Sequence, residues 1–285
     1  MADHVCKSGQ DFQVEIYGVM VYDDLHIDNF FVPDLTKSYK DVVKHQEVLI
    51  MIFFYIRHGD PIYNPDSLTP LGMRQADAIA KRLSLYGVDK IYSSTSNRAI
   101  QTAKPTCDLM KKDMELLDFA NENHAWNDFT IQRGDKKTWL FQDDKTKQLF
   151  TEDAIISLGH NWYKHPEMTS YERGIDRIYN ESFEFFKSLG YEHIRNTGKY
   201  KVAKSNDKRI ALFAHQGFGL AFLSVILDIP YPIFTNHFDM CHTGMTVIKF
   251  EEKEGFAVPK VLTLSSDSHL YREGLPTKYN NGLYF

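Results

Sequence analysis

A continuous apolar run from Val48 to Ile56 limits the folds open to this chain, because it shows no alternation with polar residues. A strand of this kind is buried on both faces, as in a parallel sheet that helices cover on each side. The run ends directly at Arg57 and His58, and a second apolar run, Ile210 to Ala214, ends at His215. The two runs predict central strands of an α/β domain with polar residues at their carboxyl ends.

Helices are predicted between these strands. Thr69 and Pro70 have the features of a helix start, and Gly87 has those of a stop. A capping box at Thr169 to Glu172 predicts the start of a longer helix that ends at Gly190. The other predicted elements are strands at 88–92, 245–250 and 260–264 and helices at 98–110 and 218–227. This order of elements predicts a mainly parallel open sheet with helices on both faces.

Two regions fall outside this regular core. Residues 1–47 combine a strand-like stretch at 14–22 with an acidic, turn-rich stretch, and we interpret them as an extension of unclear role. Residues 48–285 form the predicted α/β domain, with a cap inserted at residues 120–167 that holds all three tryptophans. Because Met51 lies at the first core strand, one hypothesis is that the natural chain starts there and that the core does not need the preceding segment.

Charge and cysteine content argue against several classes of function. The chain has 38 acidic and 33 basic residues and a formal net charge of −5, so binding to nucleic acid or to an anionic membrane is not expected. Its three cysteines, Cys6, Cys107 and Cys241, are too few and too scattered for a disulfide framework or a four-ligand zinc site. The first residues lack the apolar stretch of a secretory signal. We therefore expect a protein of the reducing cytoplasm.

Polar residues follow three of the predicted strands, at 57–59, 93–98 and 215–217. Ligands of open α/β sheets bind beyond the carboxyl ends of the strands, so one sheet edge is expected to gather two imidazoles and two guanidiniums. This group suits a phosphoryl ligand, because arginine binds its oxygens and a neutral imidazole nitrogen can attack phosphorus. Taken singly, a histidine such as His58 or His215 is more often a hydrogen-bonded loop residue than a nucleophile. Spacing alone does not settle the reaction.

Three sequence stretches together resemble a known family. Residues 57–64 read RHGDPIYN, residues 68–76 read LTPLGMRQA, and residues 93–103 read SSTSNRAIQTA. In this combination they resemble the signature of the histidine phosphatase superfamily, which includes phosphoglycerate mutase-like enzymes. The resemblance covers residues 52–264 and implies a six-stranded sheet and phosphoryl transfer through phosphohistidine, without a metal or another cofactor.

The resemblance also assigns roles to individual residues. His58 corresponds to the family's nucleophile, His215 to its second histidine, and the pair Arg57 and Arg98 to its phosphate clamps. Asn64 falls at a position that often helps to bind the phosphoryl group. The resemblance thus implies a site in which cationic and neutral nitrogen groups surround one phosphate.

The proton donor is where the chain departs from one branch of the family. That branch has an aspartate after the second histidine, whereas this chain has Gln216 and Gly217, which we expect to contact substrate. The chain resembles instead the branch that uses an acid after the third strand. Glu122 is preferred there over Asp118 and Glu115, because it lies where the strand passes into the cap. An ordinary surface carboxylate is the competing interpretation.

The predicted function is that of a metal-independent phosphomonoester hydrolase acting on a small phosphorylated metabolite through a phosphohistidine intermediate. Two alternatives stay open. One is a mutase that returns the phosphoryl group to a second hydroxyl, as in phosphoglycerate mutases. The other is a catalytically silent module that binds a phosphorylated ligand. Trapping of acid-labile phosphate on His58 separates the enzymes from the silent module.

Other residues of the cap and its surroundings are weaker candidates. His160 and His165 are candidates for substrate contact, although surface histidines without such a role are commoner. His124, His237 and His242 lack the spacing of a metal motif, so no metal site is predicted. The aromatic residues of the cap either line a substrate pocket or pack the insert, and packing is the favoured interpretation.

Overall fold

The computed structural model describes residues 14–16, 19–21 and 49–285, and the chain divides into two units, residues 1–47 and 48–285. In the first unit, β1 (Val14–Ile16) pairs antiparallel with β2 (Val19–Val21). The prediction of one strand over residues 14–22 is therefore wrong, because β1 and β2 are two separate strands that pair antiparallel. The acidic stretch of the predicted extension lies outside the described residues.

The second unit contains the elements of the predicted α/β domain. Its strands are β3 (Ile50–Arg57), β4 (Pro61–Tyr63), β5 (Asp66–Leu68), β6 (Lys90–Ser94), β7 (Met114–Leu117), β8 (Thr130–Arg133), β9 (Lys136–Trp139), β10 (Tyr191–Ile194), β11 (Lys199–Val202), β12 (Arg209–Ala214), β13 (Met245–Lys253), β14 (Phe256–Ala257) and β15 (Lys260–Ser266). Its α-helices are α1 (Pro70–Tyr86), α2 (Asn97–Met110), α3 (Glu122–Asp128), α4 (Asp144–Leu149), α5 (Asp153–Ile156), α6 (Glu172–Ser188), α7 (Gln216–Ile226), α8 (Tyr231–His237) and α9 (Ser268–Arg272). Within the described residues, no helix combines the length and the apolar character needed to cross a membrane.

Nine of the described strands form one mixed sheet. Their order is β10-β11-β14-β13-β3-β12-β6-β7, and β15 pairs with β13 off this path. The central strands β3, β12, β6 and β7 pair in parallel, whereas β13 pairs antiparallel with β3. The predicted α/β class with a mainly parallel core is confirmed.

The family resemblance implies six strands, and that number is too low. The short strands β10, β11 and β14 extend the sheet beyond β13 through antiparallel pairing. They are only two to four residues long. Strands this short show too few alternations for a hydrophobic period to reveal them.

Alternate residues of β3 face opposite layers of helices, because successive side chains of a strand point to opposite faces. Phe53 and Tyr55 belong to the apolar cluster formed with α6 and α7. Phe54 and Ile56 belong to a second cluster formed with α1 and α2. This explains why the whole apolar run is buried, and it fixes β3 in the middle of the domain.

The ends of two helices test the capping predictions. The Thr69 hydroxyl accepts a hydrogen bond from Gly72 N at 3.0 Å, and Gly87 ends α1 with a φ of 72°, as predicted. The capping box at 169–172 is wrong. Thr169–Tyr171 form a 3₁₀ turn, and α6 begins at Glu172 without a side-chain cap. Thr169 therefore lies inside a helical turn, whereas a capping residue needs an extended backbone.

Between β7 and α6, the chain forms the cap, which contains α3, the hairpin β8–β9, α4 and α5. Trp162 is buried at its centre, with Phe150 edge-on at 5.7 Å and Tyr231 of α8 stacked at 5.4 Å. Trp162 therefore packs the interior of the cap. Its stack with Tyr231 holds the cap against the α/β layer.

Tyr55 connects the two central strands at their carboxyl ends. Its buried hydroxyl donates a hydrogen bond to His215 O at 2.6 Å and accepts one from His215 N at 3.2 Å. One side chain of β3 therefore fixes the main chain where β12 passes into α7.

We expect Tyr55→Phe to lower the free energy of unfolding by about 1–3 kcal/mol, because it leaves a buried N–H of His215 without a partner. Urea denaturation of the variant and of the parent protein measures the difference. Tyr231→Phe is the matched control, because the buried Tyr231 hydroxyl has no hydrogen-bond partner among the described residues. Equal effects of the two substitutions would contradict the role given to Tyr55.

Candidate active site

His58 is the first residue after β3, and the sheet register places it beside the end of β12. Arg57 is opposite Ala214 in the parallel pairing, and His58 N donates a hydrogen bond to Ala214 O at 2.9 Å. The His58 ring is only 3 % exposed, and its Nδ1 lies 2.7 Å from Gly59 O. Since a carbonyl oxygen can only accept, Nδ1 carries the hydrogen and Nε2 keeps its lone pair.

His215 precedes α7 and lies against His58, with 5.2 Å between the ring centroids. Its Nε2 is 2.8 Å from the hydroxyl of Ser94, the last residue of β6. Its Nδ1 is buried and has no hydrogen-bond partner among the described residues. Three neighbouring parallel strands, β3, β12 and β6, thus each deliver one polar residue to the same place.

Arg57 is fully buried, although it carries a guanidinium group. Its Nη1 donates a hydrogen bond to Met240 O at 2.5 Å, whereas Nε and Nη2 have no partner among the described residues. A buried cation without a counter-charge is costly, so these two nitrogens indicate a place for an anion.

Arg98 lies in the first turn of α2 and is held by Asp66 of β5. Its Nη1 is 2.7 Å from Asp66 Oδ1, and its Cζ lies 5.5 Å from the ring centre of Tyr63. The buried Nε has no partner among the described residues. The hairpin β4–β5 therefore orients the Arg98 guanidinium and leaves one of its donors free for a ligand.

Glu122 begins α3 and reaches the N-terminus of α7. Its Oε1 accepts a hydrogen bond from Gly217 N at 3.0 Å, and its Oε2 accepts one from Phe218 N at 2.9 Å. Burial raises the pKa of the Glu122 carboxyl above its ordinary value, against the opposing effect of the two N–H groups and of Arg98 and Arg57. The structure places this carboxyl close to the two arginines.

Burial and positive charge keep both imidazoles neutral. Desolvation lowers the pKa of His58 well below its ordinary value, and His215, Arg57 and Arg98 lower it further. Desolvation and the same two arginines lower the pKa of His215. A neutral imidazole with a free Nε2 lone pair is a nucleophile, whereas an imidazolium is not.

The three residues predicted to contact substrate have different surroundings from the buried arginines and histidines. Asn64 is exposed at the turn between β4 and β5. Gln216 donates a side-chain hydrogen bond to Asp239, and Gly217 contributes its backbone N–H to Glu122. The predicted helix start at Phe218 is also too late, because α7 begins at Gln216.

The two competing carboxylates are exposed, unlike Glu122. Asp118 lies 3.0 Å from His124 Nε2, and Glu115 lies on the edge strand β7. Among the described residues, no group of three or more histidine, cysteine or acidic side chains is arranged to hold a metal ion.

Two supporting groups were missed in the sequence. Asp66 holds Arg98, as described above. His242 stacks on His58 at 5.9 Å, and its Nε2 lies 3.1 Å from Asn280 Oδ1 near the C-terminus. Neither follows a predicted strand, so the criterion that found His58 could not find them.

Residues 53–149 match the histidine phosphatase superfamily (branch 1). The matched residues include Arg57, His58, Arg98 and Glu122. The predicted family and the predicted enzyme class, a phosphatase, are thereby confirmed. No curated protein matches the chain.

Solved structures share the fold of this chain. A phosphoserine phosphatase variant from Entamoeba histolytica, solved with phosphoserine, has a TM-score of 0.51 and 19% identity, covering 77% of this chain and 99% of its own. A mycobacterial glucosyl-3-phosphoglycerate phosphatase, solved with VO3, has a TM-score of 0.49 and 18% identity, covering 76% of this chain and 99% of its own. At this identity the first likeness shows the phosphoglycerate mutase-like fold alone.

The buried histidines predict loss of stability in acid. Desolvation lowers the pKa values of four of them, to about 2 for His242 and about 4 for His269, with His58 and His215 well below the ordinary 6.5. Between its folded pKa and about 6.5, each histidine binds a proton only when unfolded. The free energy of unfolding should therefore fall as pH drops below about 6.5, by up to about 1.4 kcal/mol per pH unit for each histidine.

Urea denaturation between pH 7 and pH 4.5 measures this slope. His269→Gln is the test variant, because His269 lies in α9 and burial lowers its pKa to about 4. We expect the substitution to reduce the pH dependence of the free energy of unfolding by the contribution of about one bound proton over this range. Equal slopes in variant and parent would show that His269 titrates at its ordinary pKa in the folded protein.

Proposed function

We propose that this protein hydrolyses phosphomonoesters through a phosphohistidine intermediate on His58. One observation carries the proposal: buried nitrogens of Arg57, Arg98 and His215 that have no hydrogen-bond partner among the described residues lie beside a histidine whose pKa is lowered. Such nitrogens cost free energy unless an anion binds to them. A phosphoryl group offers three acceptor oxygens and negative charge in the same volume.

Binding of the substrate uses the donors that the fold leaves free. Nε and Nη2 of Arg57 and Nε of Arg98 donate to nonbridging oxygens, and His215 donates from Nδ1 when that nitrogen carries its hydrogen. These donors are fixed before the substrate arrives, because Met240 O, Asp66 and Ser94 hold the side chains from the other side. Preorganised charge of this kind stabilises the transferring phosphoryl group.

His58 then attacks phosphorus with Nε2. A bond forms between Nε2 and phosphorus while the bond to the ester oxygen breaks. Gly59 O accepts the hydrogen of Nδ1 and stabilises the positive charge that develops on the ring. The intermediate is phosphohistidine, and the leaving group departs as an alkoxide unless an acid protonates it.

Glu122 supplies that proton. Its carboxyl donates to the leaving oxygen, becomes a carboxylate, and then removes a proton from the water that attacks phosphohistidine. The N–H groups of Gly217 and Phe218 stabilise the carboxylate in the interval between the two steps. Water addition releases inorganic phosphate and restores both His58 and the Glu122 acid.

The comparisons support a small phosphorylated metabolite as the substrate. The family is one of histidine phosphatases, and the Entamoeba histolytica neighbour is a phosphoserine phosphatase. The phosphoryl-binding groups lie at the sheet edge, whereas residues 118–171 form a separate cap. The cap therefore selects the leaving group.

His58→Ala should lower hydrolysis of an aryl phosphate by more than about 1,000-fold, because the nucleophile is lost. Release of the aryl alcohol measures the rate. Rapid quenching of the parent protein with labelled substrate should also trap phosphate that is labile in acid and stable in alkali, and the variant should trap none. His124→Ala is the control, because His124 is exposed. Near-parent activity of His58→Ala would rule out His58 as the nucleophile.

Glu122→Gln should slow the hydrolysis of an alkyl phosphate by at least about 100-fold. Hydrolysis of an aryl phosphate should slow far less, because an aryl alcohol leaves without full protonation. The ratio of the two kcat/KM values measures the effect. Glu115→Gln and Asp118→Asn are the matched controls, since both carboxylates are exposed. A similar loss with both substrates would assign the proton to another acid.

A further inference from the structure

Two indoles, those of Trp126 and Trp139, lie in the part of the cap that holds Glu122. Trp126 comes four residues later in α3, so its side chain and that of Glu122 lie on the same helix face. Trp139 of β9 packs edge-to-face with Trp126, with 4.9 Å between ring centroids. Both rings are partly buried, and Phe141 stacks on Trp139 at 5.5 Å.

Gly217 joins the tryptophan pair to the carboxyl group. Its N–H is one of the two donors to Glu122, at 3.0 Å from Oε1. A Cβ at this position would lie 2.4 Å from the Trp139 ring, which is closer than real Cβ contacts allow. The indole and the carboxylate therefore contact the same residue, and a side chain on Gly217 would force the indole away.

The other groups around Glu122 favour its ionised form. Arg98 and Arg57 are cationic, and the N–H groups at the start of α7 donate to both carboxylate oxygens. The titratable groups of β3 and α8 that face it, Tyr55 and Tyr231, are neutral because burial raises their pKa. Left in water among these groups, the carboxyl would lose its proton well below neutral pH and could not act as an acid.

We infer that Trp139, supported by Trp126, forms a water-excluding wall that keeps the Glu122 carboxyl protonated for the leaving group. The indoles do not touch the reacting atoms in this scheme; they are positioning residues that act through Glu122. Exclusion of water disfavours the charged form of a carboxyl and opposes the arginines and the helix N–H groups. The raised pKa of Glu122 is in line with this balance. The inference rests on the proposed role of Glu122 as proton donor.

The first readout is the pKa of Glu122 itself, measured by carbon NMR on protein labelled at the glutamate carboxyl carbon. The Glu122 resonance is the one that Glu122→Gln removes. We expect Trp139→Ala to lower this pKa by about one unit or more, because water reaches the carboxyl. Gly217→Ala should act in the same direction by displacing the indole, and Trp139→Phe should have a smaller effect. Gln132→Ala, an exposed and uncharged position of the same hairpin, should leave the pKa unchanged.

The second readout is the pH dependence of kcat/KM for an alkyl phosphate and for an aryl phosphate. With the alkyl substrate, Trp139→Ala should move the alkaline limb to lower pH by the same amount as the Glu122 pKa, because less of the acid stays protonated. With the aryl substrate, the profile should stay in place. Thermal unfolding of each variant confirms that the comparison is made on folded protein.

The two readouts separate the inference from the function on which it rests. An unchanged Glu122 pKa in both Trp139→Ala and Gly217→Ala overturns the water-excluding wall. A lowered pKa with an unmoved alkyl-phosphate profile supports the wall and overturns Glu122 as the donor. A lowered pKa with a matching shift of the profile supports both.

Discussion

Two guanidiniums and two imidazoles lie buried together at the carboxyl ends of β3, β12 and β6, and the electrostatics of that group govern the rest of the site. Positive charge in a dry interior is unfavourable, so the fold must hold it rigidly and give it partial compensation. Met240 O does this for Arg57, and Asp66 does it for Arg98. Burial and, after it, this charge lower the pKa of His58, and the contact of Nδ1 with Gly59 O leaves the lone pair on Nε2.

At Glu122, burial and the neighbouring positive charge have opposite effects on the pKa. Its surroundings contain the positive end of α7 and both arginines, yet burial raises its pKa. One environment therefore lowers the pKa of the imidazoles and raises the pKa of the carboxyl. Exclusion of water acts in both cases, and positive charge adds to it only for the imidazoles. These two directions are the ones that the proposed reaction requires of its nucleophile and its acid.

Much of this arrangement could be predicted from the sequence, because strand ends in a parallel sheet meet at one edge. The apolar runs before His58 and His215 identified the central strands, and the register of β3 and β12 brings the two rings together. Glu122 was found from its place after β7. Local pattern could not reveal Asp66 or His242, because Asp66 lies in the short strand β5, His242 lies between α8 and β13, and neither follows a predicted strand. The edge strands β10, β11 and β14 were too short to detect, and the capping box failed because Thr169 lies within a 3₁₀ turn.

His242 connects His58 to a distant part of the chain. Its ring stacks on His58 and is fixed by Asn280, while Lys278 Nζ lies 3.4 Å from Asp60, next to Gly59. A polypeptide interrupted before Lys278 would retain Arg57, His58, Arg98 and His215 and still lack the groups that hold this ring. The order of the His58 surroundings therefore depends on contacts made by the last residues of the chain.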